Sequence, residues 1–213
     1  MGTERQEVIN LRPCWIFSGA PDDKFMAVPP DNAYIIAADS GYLAVKRNNL
    51  TPDLILGDFD SLDEKPDCGE IITAPAEKDD TDTMLAVKTA LDRGYSDITI
   101  AGSVGGRLDH TYANIQTLAY ILENGGFGRL IGSNDTVELL KAGEYTYERR
   151  DNMYLSLFSY SESAVLTTTG TKYNVTGYKL DNSFPLGVSN EIIRDKCSIS
   201  VHEGQILVIF SKK

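Results

Sequence analysis

The stretch Gly57-Asp58-Phe59-Asp60-Ser61 follows Leu54-Ile55-Leu56, so an apolar run suited to a buried strand ends in two carboxylates one residue apart. In extended chain, side chains at i and i+2 share a side, which aims Asp58 and Asp60 one way and Phe59 the other. A polar turn capped by Asp60 or Ser61 explains such a pair; so does a bound cation. A second acidic group, Glu77-Lys78-Asp79-Asp80-Thr81-Asp82, stands before a helical pattern. Asp79 or Asp80 is a natural N-cap there, and acidic residues in a first turn suit the helix dipole. Three aspartates in four positions exceed what a cap needs, because such neighbours repel unless a cation binds. Asp39, after Tyr34-Ile35-Ile36-Ala37-Ala38, is a third acidic strand end. Mg²⁺ takes one or two carboxylates, keeps waters and binds substrate phosphates. Carboxylates at several adjacent strand ends are the parts of such a site.

A third element is the glycine-rich turn of Gly102-Ser103-Val104-Gly105-Gly106-Arg107, which leads into Leu108-Asp109-His110 and a long helical pattern. Glycines permit close backbone approach, and a helix N-terminus offers free N–H groups to an anion. Arg107 adds a planar fork of donors suited to phosphate oxygens. The turn is neither a P-loop nor a G-x-G-x-x-G fingerprint. A tight strand-to-helix connection accounts for it equally well, and His110 reads either as a site residue or as a packed or capping one.

The elements that must position these groups change character along the chain. Up to about residue 133, apolar runs alternate with helical periods. The runs are CWIFSG, AYIIAAD, DLILGD, EIITA, DITIAGS and RLIGS. Several are apolar throughout, as parallel strands covered on both faces should be. Between them, Met84, Val87, Lys88 and Leu91 share one helical face, with Gly94 as a stop. Tyr112, Ile115, Leu118, Ala119 and Leu122 form a second stripe, closed by Asn124-Gly125-Gly126. The alternation predicts an α/β domain over residues 1–133, with a mostly parallel sheet and flanking helices. After Asn134 the segments VELLKAG, EYTYERR, MYLSLFSY, SAVLTTTG, CSISVHEG and QILVIF are short and rich in β-branched and aromatic residues. They predict an all-β sandwich over residues 134–213.

Composition narrows the partners. The net charge is −11 and hydrophobic residues make up 42% of the chain. That balance disfavours phosphate-driven binding of nucleic acid and an anionic membrane surface. Cys14, Cys68 and Cys197 are odd in number and form no C-x-x-C pair, and two histidines, His110 and His202, are too few for a zinc site of the usual kind. No signal-peptide pattern or membrane span is visible, so a cytoplasmic location is expected.

Taken in order, ADSGYLAV, PDLILGDFDSL, KDDTD and GSVGGRLDHTYAN, followed by a β-rich tail with GVSNEI, closely resemble the thiamine pyrophosphokinase family over nearly the whole chain. The resemblance implies a MgATP-binding catalytic α/β domain, a thiamine-binding β-sandwich, and a homodimer with thiamine at the subunit interface. It implies transfer of a diphosphoryl group from ATP to thiamine. Mg²⁺ then falls on Asp58, Asp60 and Asp82, and these with Arg107 and Asp109 form the catalytic set. Asp39, Lys78, Thr81, Arg107, Asp109 and His110 become the ATP-binding residues. Tyr173, Ser189 and Asn190 become the thiamine-binding residues, with Tyr173 standing in for a tryptophan common in the family. Asp82 or Asp109 is the general base. Two rival readings accommodate the same residues: a metal-dependent nucleotide hydrolase, or a nucleotide or thiamine sensor without turnover.

Overall fold

A computed structural model describes residues 12–19, 25–57, 69–73 and 80–213. The chain divides into two compact units, Met1–Ser133 and Asn134–Lys213.

In the first unit, β1 (Cys14–Ser18), β2 (Tyr34–Ala38), β3 (Leu54–Gly57), β4 (Glu70–Thr73), β5 (Asp97–Ala101) and β6 (Phe127–Ile131) pair in parallel, in the order β4-β3-β2-β1-β5-β6. The central strands β1, β2, β3 and β5 are largely apolar on both faces because both are covered, whereas the edge strand β4 is mostly exposed. On one face, Phe17, Ile35, Ala37, Ile55 and Ala101 pack against Tyr42, Ala44 and Val45 of α1 (Gly41–Arg47). The register puts Ile16, Ile36, Leu54, Ile100 and Leu130 on the other face, all fully buried. There Gly128 lies directly under Leu118 and Ile121 of α3 (Leu108–Glu123), and α2 (Asp82–Asp92) packs beside α3. The chain moves one way through β2-α1-β3 and the opposite way through β5-α3-β6. Right-handed crossovers therefore send the two helices to opposite faces.

Two helical stripes differ from the periodicity expectation. The buried face of α2 is Ala86, Val87 and Ala90, while Lys88 turns aside to pair with Asp80. In α3 the buried residues are Thr117, Leu118, Ile121 and Leu122, and Tyr112 is exposed. Only the later turns of α3 lie over the sheet; the earlier ones present His110, Ala113 and Asn114 to a cavity. The short helix α1 went unrecognised in the sequence, since seven residues starting at glycine carry little periodicity.

The second unit has two antiparallel sheets. One is β7 (Asp135–Leu140), β13 (Ile206–Lys212) and β9 (Met153–Ser159), with β13 central. The other runs β11-β10-β12-β8, from β8 (Gly143–Glu148), β10 (Ser163–Thr169), β11 (Tyr178–Asp181) and β12 (Lys196–Glu203). Alternate residues point inward: Ala164, Leu166 and Thr168 from β10, Cys197, Ile199 and Val201 from β12, Ile206, Val208 and Phe210 from β13. This is the expected sandwich, with β11 as an additional short edge strand.

Candidate active site

In an open parallel sheet, ligands bind beyond the carboxyl ends of the strands, where the strand order reverses. Here the order reverses between β1 and β5. A cavity of about 470 Å³ opens there, lined by Ser18 and Gly19 after β1, Asp39 and Ser40 after β2, Gly102 and Gly105 after β5, Thr81 and Asp82 at the start of α2, and Arg107, His110 and Asn114 at the start of α3.

Each wall has a local cause. Asp39 adopts left-handed backbone (φ 46°), and its N–H donates to the Leu56 carbonyl at 2.7 Å. Such a conformation is strained for a residue other than glycine and concentrates at functional sites. Two residues on, Gly41 lies so close to the Phe17 carbonyl oxygen that a Cβ would stand 1.9 Å from it, so only glycine fits. Thr81 is the N-cap of α2, its hydroxyl accepting from Met84 N–H at 3.1 Å. The cap is therefore neither Asp79 nor Asp80. Asp80 is bound through both oxygens by Lys88 Nζ, at 2.8 and 2.6 Å. One of the three crowded aspartates thus has a protein cation as partner, and the crowding alone does not require a metal. Asp82 begins α2 and faces the cavity.

At the glycine-rich turn, Gly102, Gly105 and Gly106 have φ values of 74°, 99° and 68°, a path open to glycine and costly for other residues. Asn114 Nδ2 donates to the Ser103 carbonyl at 2.8 Å and ties the turn to α3. The Arg107 guanidinium is gripped by Asp109 in a two-point pair, at 3.1 and 2.6 Å. Asp109 also accepts from the His110 N–H. These donors, Arg107 foremost, hold the Asp109 carboxyl below its usual range. Arg107 lines the cavity and Asp109 orients it. Ser18, Ser40 and Asn114 line the same cavity, and the sequence reading assigned none of them a role. Serine and asparagine beside glycines look like ordinary turn residues, so only the strand order reveals their shared position. Asp58, Asp60 and Lys78 lie outside the described residues. Gly57, immediately before Asp58, packs against Asp39, where an added Cβ would sit 3.2 Å from Asp39 Cα.

The second unit contains a cavity of about 350 Å³ of a different kind, walled by Leu157, Leu166, Val175, Leu180, Leu186 and Val188 with Tyr173 and Tyr178. Tyr173 is 62% exposed. Asn190, by contrast, is buried and spends its amide on the backbone. Its Oδ1 accepts from the N–H of Tyr173 at 3.0 Å and of Glu191 at 2.8 Å, and its Nδ2 donates to the Tyr173 carbonyl at 2.9 Å. Ser189 has left-handed backbone (φ 59°), and its N–H donates to Ser156 Oγ at 3.0 Å. Lys172 Nζ lies 5.6 Å from the Tyr173 ring centre and pairs with Glu191, which is also paired with Lys213.

Among the described residues no cluster of three His, Cys, Asp or Glu is placed to hold a metal, and no helix is long and apolar enough to cross a membrane.

A doubly covered parallel sheet with carboxylates, a guanidinium and two helix starts around its switch point is the architecture of an enzyme acting on a phosphorylated small molecule. Residues 27–125 match the family described as the thiamin pyrophosphokinase catalytic domain, and residues 145–206 match the thiamin pyrophosphokinase vitamin B1 binding domain. The chain is 33% identical over 184 residues to the thiamine pyrophosphokinase of Bacillus subtilis (strain 168), covering 83% of this chain and 86% of that one. The crystal structure of thiamine pyrophosphokinase from Bacillus subtilis superposes with a TM-score of 0.87 at 29% identity, covering 95% of this chain and 100% of that one. That of a thiamin pyrophosphokinase family protein from Enterococcus faecalis gives 0.82 at 31% identity, with 95% and 99% covered. The chain belongs to the thiamin pyrophosphokinase family.

Proposed function

We propose that this protein is a thiamine diphosphokinase, transferring a diphosphoryl group from ATP to the hydroxyl of thiamine and releasing AMP. The observation that carries this is the paired family match: the catalytic match falls in the unit with the polar cavity, the vitamin B1 binding match in the unit with the apolar one. A nucleotide hydrolase has no use for the second of these, and a kinase family favours turnover over sensing. The thiamine oxygen attacks the β-phosphorus, the bond from the β-phosphorus to the oxygen bridging to the α-phosphate breaks, and the hydroxyl proton passes to a base.

Residues 1–133 serve as the MgATP-binding catalytic domain and residues 134–213 as the thiamine-binding domain. The Arg107 fork, held by Asp109, binds phosphate oxygens and stabilises charge on the transferring group. Asp39, Lys78, Thr81, Asp109 and His110 complete the ATP set. Of these, Thr81 acts by fixing the start of α2 and Asp109 by aiming Arg107. Asp39 and Asp82 facing one cavity, with no thiolate among its described lining residues, form a hard-oxygen donor set that fits Mg²⁺. Asp82 with Asp58 and Asp60 would hold the ion, which neutralises triphosphate charge when bound. Asp82 and Asp109 are the two carboxylates offered as general base, and the Arg107 pair that lowers the Asp109 carboxyl counts against that one. In the second unit, Tyr173 offers an aromatic face to the thiamine cation, while Ser189 and Asn190 shape the backbone around it. Exposed Leu186 and Val188, in the same cavity wall as exposed Tyr173, support a homodimer in which a second copy covers this surface and completes the thiamine site. A cytoplasmic location accords with buried, unpaired Cys14 and Cys197.

The test is product analysis of the purified chain with ATP, Mg²⁺ and thiamine. Thiamine diphosphate and AMP should appear in equal amounts. ADP with thiamine monophosphate, or AMP released without thiamine, would overturn the assignment. Sedimentation of the same preparation should give the mass of a dimer.

A further inference from the structure

Two serines close neighbouring parallel strands at the switch point, and they differ in one respect. Ser103, after β5, is buried, and its hydroxyl donates to the Ile100 carbonyl at 2.7 Å. Ser18, the last residue of β1, has its Oγ shut off from solvent and without a hydrogen-bond partner among the described residues. Buried hydroxyls without partners are uncommon in native proteins, because the lost hydration is not replaced. Ser18 also lines the cavity, at the strand end adjoining Gly102 and across from Asp39 and Ser40. The residue as a whole is half-buried rather than buried, so rotation about its Cα–Cβ bond carries the hydroxyl from its enclosed position into the cavity, where a ligand oxygen gives it the partner it lacks.

We propose that Ser18 is a substrate-binding residue whose hydroxyl donates to a phosphate oxygen of ATP. This rests on the ATP reading of the cavity. The chemical class follows from the wall around it. Gly19, Gly102 and Gly105 leave backbone there with no side chain to hold a ligand off, and Arg107 supplies positive charge. Such a surface admits the close approach of an oxyanion. In a chain of net charge −11, a triphosphate must be met by local donors, and a hydroxyl adds one without adding charge.

The experiment is calorimetric titration of the full chain and of Ser18→Ala with ATP and, separately, with inorganic tripolyphosphate, in Mg²⁺ buffer without thiamine, together with melting of each ligand-free protein. Losing one hydrogen bond to a charged acceptor should weaken both ligands about ten-fold. Ligand-free Ser18→Ala should melt no lower than the parent, because removing an orphan hydroxyl leaves nothing unpaired. That pairing of weaker binding with undiminished stability is what a residue serving only the fold would not produce. A lower melting temperature means the hydroxyl serves the fold, and unchanged tripolyphosphate affinity means no phosphate meets it; either overturns the proposal. A loss confined to ATP puts Ser18 against the nucleoside and overturns the phosphate assignment. If the parent itself binds neither ligand, the ATP reading of the cavity fails first.

Discussion

The two cavities solve recognition with different materials. In the first unit the walls are main chain and short side chains: strand ends, glycines and the opening turns of two helices. The main-chain donors there sit where the strands end, so their geometry is inherited from the fold, whereas Arg107 is aimed by Asp109. In the second unit the walls are leucine, valine and tyrosine side chains, and the backbone of Tyr173 is held by two of its neighbours' side chains, Asn190 on its amide and carbonyl and Thr171 Oγ1 on the same carbonyl at 3.0 Å. Charge recognition needs fixed dipoles, whereas an apolar cavity needs mainly shape. Substitutions in the first should therefore act on turnover, and those in the second on apparent affinity for thiamine.

The largest effect is expected at the carboxylates. Asp82→Asn, and likewise Asp58→Asn or Asp60→Asn, keeps shape but removes charge, and should lower kcat by about 10²–10³, the usual cost of one preorganised electrostatic contact. Thermal melting should change little. Unfolding with normal activity per folded molecule would make these residues structural and erase the contrast between the cavities. Next is Arg107→Lys, which keeps the charge but loses the fork held by Asp109. Turnover should fall by roughly ten-fold, the loss of a charge-assisted hydrogen bond, with thiamine affinity preserved. A rise in the KM for thiamine at normal kcat would instead join Arg107 to the other cavity.

Smaller still is Tyr173→Ala, which should raise the KM for thiamine several-fold, in line with roughly 0.5–2 kcal/mol for a cation on an aromatic face. The KM for ATP should stay constant, and Tyr173→Trp should restore the parent value. Equal thiamine KM for Tyr173→Ala and the parent would leave the apolar cavity without its aromatic partner. The smallest effect concerns Glu191, whose carboxyl is held below its ordinary value by Lys213 and then Lys172. A depressed folded pKa stabilises above the ordinary glutamate range, and the benefit disappears as pH falls through the lowered value. The melting temperature of the parent should therefore drop slightly more than that of Glu191→Gln between neutral and acid pH. Parallel pH curves would show the pairing to be worth nothing, as surface pairs often are.

How much of this could be read from the residues alone depends on range. The strands were legible because burial on both faces leaves long apolar runs, and the start of α2 was legible to within two residues, though the cap is Thr81 and not Asp79 or Asp80. Helix α1 was not, since its seven residues rely on packing against Phe17 and Ala37 across the sheet. Within the acidic cluster Asp80 was misread as a possible cap: its Lys88 partner lies two helical turns away, and no spacing rule announces it. Ser18 carries no signal of its own, because an orphan hydroxyl exists only relative to strands that meet in three dimensions. Asn190 stood out by resemblance, yet its attachment to Tyr173 spans seventeen positions and belongs to the fold.

That attachment has a consequence for how the site can diverge. Of residue 173, Asn190 holds the amide and carbonyl and not the side chain, atoms common to every amino acid except for the missing N–H of proline. The side chain above is then a free variable. Tyrosine can be exchanged for tryptophan, or for a smaller group, without renegotiating the loop that carries it. The asparagine, by the same reasoning, is the fixed term, since any replacement disturbs whichever ring is mounted there. Drift in vitamin preference should thus be recorded at position 173 and conservation at position 190.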